Sequence, residues 1–361
     1  MNKNYYAIIM AGGIGSRFWP ISRTSHPKQF IDILGTGKTL IQNTYERFLK
    51  VCPPENIFVV TNEIYTDLVK KQLPAMTDSQ ILTEPVMRNT APCVAYGSFR
   101  IESLNPDAAI VVAPSDHLIL DEAAFLKTIE KSLETAKEND CLITLGIKPS
   151  RPDTGYGYIQ YTDQSFHHDF FKVKTFTEKP TLEIAKTFIQ SGDFLWNAGI
   201  FVWSAKAIVN AFGSHLPDMY DIFAEARPFY NTAGEKSHIH KTYLQCTNIS
   251  IDYGIMEKAD NVYVLPSEFG WSDLGTWASI YELAEKDDAG NAKIPAEKVV
   301  MYDSTNCMVN VPEEKLVILQ GLHDFIVVEA NNTLLICPRD QEQNVKKIVS
   351  EVKQRFGVKY I

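Results

Sequence analysis

The sequence predicts an α/β fold in which a mainly parallel sheet is covered by helices on both faces, followed by a small β unit. Three observations carry this expectation. Short apolar runs alternate with stretches of helical periodicity from Ala7 to Ile147, as they do when parallel strands are joined by crossover helices. The first apolar run ends in a glycine-rich loop. From Lys298 to Ile336 the pattern changes to short apolar runs separated only by turns: VVMYDS, CMVNV, LVILQG, FIVVEA and TLLICP.

In chain order, Ala7–Met10 is a buried strand that opens into Ala11-Gly12-Gly13. Leu40, Ile41, Tyr45, Phe48 and Leu49 are spaced for one face of a helix over Thr39–Lys50. Asn56–Thr61 and Gln80–Thr83 read as strands on either side of a helix at Ile64–Leu73. Cys93–Ser103 is helical, and Ala108–Ala113 (AAIVVA) is the clearest buried strand. Ala123–Asn139 is a helix, Cys141–Ile147 a strand, and Phe170–Thr175 strand-like. Residues 204–248 form a helical insert, and Ser250–Lys258 reads as a helix leading to a strand at Asn261–Pro266. Glu285–Asn291 (EKDDAGN) is a polar linker, which divides the chain into domains at 1–288 and 289–361. Gln341–Arg355 closes the chain as an amphipathic helix.

With 361 residues, 45% hydrophobic and 22% charged, the chain is an ordinary globular protein able to bury a sizeable core. A formal charge of -9 argues against nucleic acid or an anionic membrane as partner. The six cysteines are scattered without a C-x-x-C pair, so neither a zinc site nor a disulfide framework is expected. No apolar run reaches the roughly 18 residues that span a bilayer, and no signal-type segment precedes the first strand. A cytoplasmic location is the expectation.

The chemistry concentrates after strands. Gly12, Gly13 and Gly15 free the backbone for positive φ and for close approach to an anion, while Arg17 and Lys28 add two cations. This suits a polyphosphate. Neither familiar phosphate motif fits, however: Phe18 stands where G-x-G-x-x-G needs its third glycine, and Asp32 where a P-loop needs its first. Glu84, after the Gln80–Thr83 strand, could accept both N–H donors of guanine's pairing edge, or be a solvated loop carboxylate. Asp116 follows Ala108–Ala113 and is a candidate magnesium ligand, or a cap. Asp273, in Trp271-Ser272-Asp273-Leu274-Gly275, is the second candidate ligand. Gly155 and its neighbours could present backbone groups to a sugar, or form a plain hairpin turn. Glu178 and Lys179 suit sugar hydroxyls and a phosphate, or a solvated surface pair.

The loop Gly12-Gly13-Ile14-Gly15-Ser16-Arg17-Phe18-Trp19-Pro20 with Pro27-Lys28-Gln29-Phe30 resembles the signature of the sugar-nucleotide pyrophosphorylases. Glu84-Pro85 to Pro92, Phe176-Thr177-Glu178-Lys179-Pro180 and Trp196-Asn197-Ala198-Gly199 resemble further boxes of that family, with Ala198 replacing its usual serine. The resemblance implies a Rossmann-like sheet of the nucleotide-diphospho-sugar transferase type and a C-terminal left-handed β-helix. It further implies GTP and mannose 1-phosphate as substrates, GDP-mannose and pyrophosphate as products, Mg2+ as cofactor, and a homodimer as a possible assembly. Carried onto this chain, nucleotide contacts fall at Ala11, Gly12, Gly13, Gly15, Ser16, Arg17, Lys28, Glu84, Asn89, Thr90, Ser115 and Asp116. Sugar-phosphate contacts fall at Gly155, Tyr156, Glu178, Lys179 and Asn197, metal ligands at Asp116 and Asp273, and catalytic roles at Arg17, Lys28, Asp116, Lys179 and Asp273. The sugar phosphate would itself attack the α-phosphorus in line. A transferase for another nucleotide or hexose, and a silent sugar-nucleotide sensor, stay open as alternatives.

Overall fold

The computed structural model describes residues 1–361 apart from Ile14, His168 and the side chain of Ser16, so the expectation for Ser16 lies outside the described side chains. Packing divides the chain into two units. Met1–Gly12, Gln42–Ser115 and Ile119–Trp271 form the first, and Gly13–Ile41, Asp116–Leu118 and Ser272–Ile361 the second.

The strands up to residue 267 are β1 (Tyr5–Met10), β2 (Ile57–Asn62), β3 (Ile81–Glu84), β4 (Ala109–Pro114), the two-residue β5 (Leu118–Ile119), β6 (Leu142–Ile147), β7 (Gly157–Phe166), β8 (Phe170–Glu178), β9 (Phe194–Ser204) and β10 (Val262–Ser267). All but β5 join one nine-stranded sheet in the order β3-β2-β1-β4-β9-β6-β10-β8-β7. β1, β2, β3 and β4 run parallel, with Ala7 opposite Val111 and Ile8 opposite Phe58, so their carboxyl ends gather at one edge of the sheet. β9 enters antiparallel between β4 and β6 and sets Asn197 opposite Gly146. The Val/Ile runs of β1 and β4 are buried throughout because helices cover the sheet, and each such side chain contributes roughly 1.5–3 kcal/mol.

The helices are α1 (Leu40–Phe48), α2 (Thr66–Gln72), α3 (Thr90–Leu104), α4 (Glu122–Glu138), α5 (Leu182–Ser191), α6 (Ala205–His215), α7 (Pro217–Glu225), α8 (Glu235–Gln245), α9 (Trp277–Leu283) and α10 (Val345–Phe356). The expected helix at Ser250–Lys258 is a π-helical turn over Asp252–Met256. Among the described residues no helix is long and apolar enough to cross a membrane. All six cysteines are buried and free.

Along the chain, β11 (Trp271–Ser272) spans the change from first to second unit, and the second then carries β12 (Ala292–Ile294), β13 (Val299–Tyr302), β14 (Met308–Asn310), β15 (Val317–Gln320), β16 (Phe325–Ala330) and β17 (Thr333–Pro338). Successive strands alternate between two parallel ladders, β12-β14-β16 and β13-β15, so the chain coils as a β-helix does. β17 then turns back antiparallel through Asn331 and Asn332, both at positive φ, the backbone a tight hairpin requires. The polar linker at 285–291 lies inside the second packing unit. Phe18, Trp19, Ile33, Leu274, Trp277 and Ile280 share one core with Met308, Ile326, Val328, Leu335 and Val345, and that packing draws the glycine loop and residues 272–288 into the second unit.

Candidate active site

Within the second unit, a cavity of about 270 Å³ gathers Gly15, Arg17, Lys28, Asp116 and Asp273, together with Phe18, His117, Gly275 and Lys346. Two aspartates far apart in sequence thus face one space. His117 lines it too, and so does Lys346 from α10, for which the sequence carries no motif.

Lys28 is the hub. It begins a 3₁₀ turn, Lys28–Phe30, is 5% exposed, and its Nζ stands 5.6 Å from the Phe18 ring centroid. Nζ donates to the backbone oxygens of Asp273 (2.7 Å) and Leu274 (3.0 Å) and pairs with Asp116 Oδ2 at 2.9 Å. An ammonium has three donors, and all three are committed here. In this structure it holds Asp116 and the 273–274 backbone in place. Burial works to raise the Asp116 pKa, but the Lys28 ammonium and His117 hold it below the usual carboxylate value.

Gly15 makes that arrangement possible. It takes φ +64, and a Cβ there would lie 2.7 Å from the Lys28 Cβ. The expectation of positive φ does not extend to Gly12 and Gly13. Gly12 is needed for close approach, since a Cβ would stand 3.2 Å from Glu84 Oε2, and Gly13 faces open space. Ala11 has no backbone group to spare for an anion: its N–H donates to Val60 and its carbonyl accepts from Thr61. Arg17 differs from these. Its Nε is buried and donates to no atom of the described residues.

Asp273 Oδ1 accepts the Gly275 N–H at 2.8 Å, and a Cβ on Gly275 would collide with Oδ2 at 2.4 Å. Leu274, between them, is held at φ +44. Such backbone is costly for a branched side chain and persists where the surroundings demand it. Asp116 and Asp273 supply hard oxygens to one space, and among the described residues no group of three acidic, His or Cys side chains is placed to hold a metal. Two carboxylates suit a magnesium ion that takes its remaining ligands from phosphates and water.

The first unit carries the other candidates. Glu84, at the carboxyl end of β3, is 4% exposed and accepts a 3.0 Å hydrogen bond from Tyr243 on α8. Burial pushes its pKa to about 7, against the partial relief of that hydrogen bond. Asn89, at φ +67, caps α3 through the Thr90 N–H, and Thr90 Oγ1 accepts from Ile251 N at 2.9 Å. Ser115 is buried, its N–H on the Met10 carbonyl.

Gly155, Tyr156, Glu178, Lys179 and Asn197 do come together. β7 pairs Gly157 with Glu178, and a side chain at Gly157 would strike Glu178 Oε2 at 2.5 Å. Lys179, exposed and at φ +49, pairs with Glu178 and donates its N–H to the Tyr156 carbonyl. Tyr156 packs edge-on against Trp196 and Trp271. Gly155 donates to Asp153 Oδ1. Asn197 accepts from Thr144 and donates to Asp252 Oδ1 at 2.9 Å. Asp252 is the residue that sequence reasoning misses. Its pKa rises to about 7 through burial and then the nearby Glu178 charge, and only its place in the Ser250–Lys258 segment hints at a role.

A glutamine at 84 separates stability from recognition. A buried carboxyl whose folded pKa lies near 7 instead of 4.5 favours the folded state at low pH, and that contribution fades as pH rises between the two values. The expected loss is of order 3 kcal/mol. Glu84→Gln should therefore flatten the fall in melting temperature between about pH 5 and pH 8, read by thermal melts across that range.

A nucleotidyl transferase family model matches residues 6–290, and a model described as mannose-phosphate isomerase/GMP-like β-helix domain matches 297–352. The mannose-1-phosphate guanylyltransferase of Salmonella montevideo is 36% identical over 96% of this chain and 73% of its own length, and that of Escherichia coli 34% identical over 98% and 75%. A crystal structure from Thermus thermophilus, described as mannose-1-phosphate geranyltransferase, superposes with a TM-score of 0.87 at 29% identity, covering 97% of this chain and 99% of that one. The chain belongs to the nucleotidyl transferase family, and within it to the mannose-1-phosphate guanylyltransferases.

Proposed function

We propose that the protein transfers GMP from GTP to α-D-mannose 1-phosphate, giving GDP-mannose and pyrophosphate. The observation that carries this is the cavity in which Arg17, with an unmet buried donor, faces Asp116 and Asp273. The names of the relatives support the sugar phosphate, and Glu84, buried with one carboxylate oxygen held by Tyr243, supports a base with adjacent N–H donors. A sugar phosphate is ionised at neutral pH and is its own nucleophile, so catalysis rests on alignment and charge neutralisation.

Asp116 and Asp273 would hold a magnesium ion, which when bound neutralises phosphate oxygens. Arg17 binds the triphosphate through its fork. Lys28 keeps both aspartate segments in register. Glu178 and Asn197, the latter oriented by Thr144 and Asp252, receive sugar hydroxyls. Lys179 meets the incoming phosphate.

Lys179→Ala is expected to raise the KM for mannose 1-phosphate by about 10–100-fold, the worth of a charged hydrogen bond, with the GTP dependence little changed. An unaltered sugar-phosphate KM rejects that role. The function as a whole is tested by pyrophosphate release across GTP, UTP, dTTP, ATP and CTP paired with mannose, glucose and fucose 1-phosphates, with and without Mg2+. GTP with mannose 1-phosphate should lead, and only with the metal. A faster pair reassigns the substrates, and binding without release makes the protein a sensor.

A further inference from the structure

The first unit holds a second and larger cavity, of about 610 Å³, at the edge of the sheet where β3 has no further strand beside it. Its volume falls in the range that small-molecule sites occupy. None of the candidate residues above lines it. Phe58 of β2, Leu82 of β3, Tyr96 and Leu104 of α3 give it apolar walls, and Arg100 of α3 is its buried cation.

Arg100 is 5% exposed, and its guanidinium lies 5.1 Å from the Phe58 ring centroid. Nε is 2.8 and 3.0 Å from the two Glu235 oxygens. Nη1 is buried as well, and donates to no atom of the described residues. Glu235 cannot easily supply the missing acceptor, because it already receives the Tyr96 hydroxyl at 2.7 Å and the Asn231 N–H at 2.7 Å. A buried guanidinium donor left unmet is costly, so such a group calls for an acceptor from outside the chain. Lys236 also lines the cavity. Of the acids there besides Glu235, Asp78 is paired with Lys70, and Glu55 is exposed.

We propose that this cavity binds a small organic anion, its apolar body against Leu82, Tyr96 and Leu104 and a carboxylate or phosphate oxygen on Arg100 Nη1. The site is separate from the transfer chemistry, and its occupancy does not depend on which nucleotide or sugar the enzyme uses.

Calorimetric titration of the full chain with benzoate, phenyl phosphate and neutral benzamide tests this. One saturable site is expected for at least one of the two anions, and their relative affinity tells carboxylate from phosphate. Binding should weaken about 10–100-fold for Arg100→Gln, and by a similar factor for benzamide. Because Arg100→Gln strands Glu235 and could unfold the protein, Ala233→Phe is the second variant. It fills the cavity from an exposed loop position and leaves the Arg100–Glu235 pair intact, so binding should be lost while the melting temperature holds. No saturable heat with either anion, binding unchanged in Ala233→Phe, or benzamide equal to benzoate overturns the proposal.

Discussion

Asp273→Ala is expected to cut turnover by about 100–1,000-fold, the scale on which one electrostatic stabiliser of a transition state acts, while the KM for GTP shifts little. Its carboxylate is one of two that face the cavity, and its backbone oxygen is held by Lys28 whether or not the side chain remains. Loss of the carboxyl therefore removes a ligand and the acceptor of the Gly275 N–H, while Lys28 still holds the backbone oxygens of 273 and 274. Pyrophosphate release at saturating substrate measures the effect, and raising Mg2+ separates the causes. A weakened metal site recovers part of the rate at high Mg2+, whereas a distorted loop does not. Near-normal turnover at ordinary Mg2+ would end the assignment of Asp273 as a ligand.

Lys28→Met keeps the stem and removes the charge. Two backbone carbonyls and the Asp116 carboxylate lose their partner at once. Asp116 keeps 27% of its side-chain surface, so water softens the penalty, and a loss of about 2–4 kcal/mol is expected together with a turnover loss of at least about 100-fold. The pH dependence has a definite sign. A carboxyl held below its ordinary 3.8 stabilises the fold above that value, and the contribution disappears as pH falls through the lowered pKa. The melting-temperature gap between wild type and Lys28→Met should be widest near neutrality and narrow in acid. A gap independent of pH would mean that the ammonium matters for packing and not for Asp116.

Much of this is legible in the sequence. Periodicity places β1, β2, β4 and β6 because buried parallel strands leave uninterrupted apolar runs, and the turn-separated runs after Lys298 mark the coil. The site residues are marked by composition at strand ends. What is not legible depends on contacts between distant segments. Nothing in Lys28 itself tells that the backbone oxygens of Asp273 and Leu274 will accept from its ammonium. Asp252 looks like one more helix residue until Asn197 and Glu178 are seen beside it. The polar linker marks a change of pattern along the chain, and it does not tell that Trp277 and Phe18, packed edge to face at 5.2 Å, belong to a core that includes residues on both sides of it.

The bend that carries Arg17 is fastened by residues found more than 300 positions later. Trp19 Nε1 donates to the Tyr360 carbonyl at 2.6 Å, and Arg23 donates to the carbonyls of Asn331 and Lys359. A ribosome that has reached Val328 has already made every residue of the sheet unit, yet none of these three acceptors. At that stage the early bend still lacks these long-range hydrogen bonds, so it gains its fastening only once residues 331, 359 and 360 have been made.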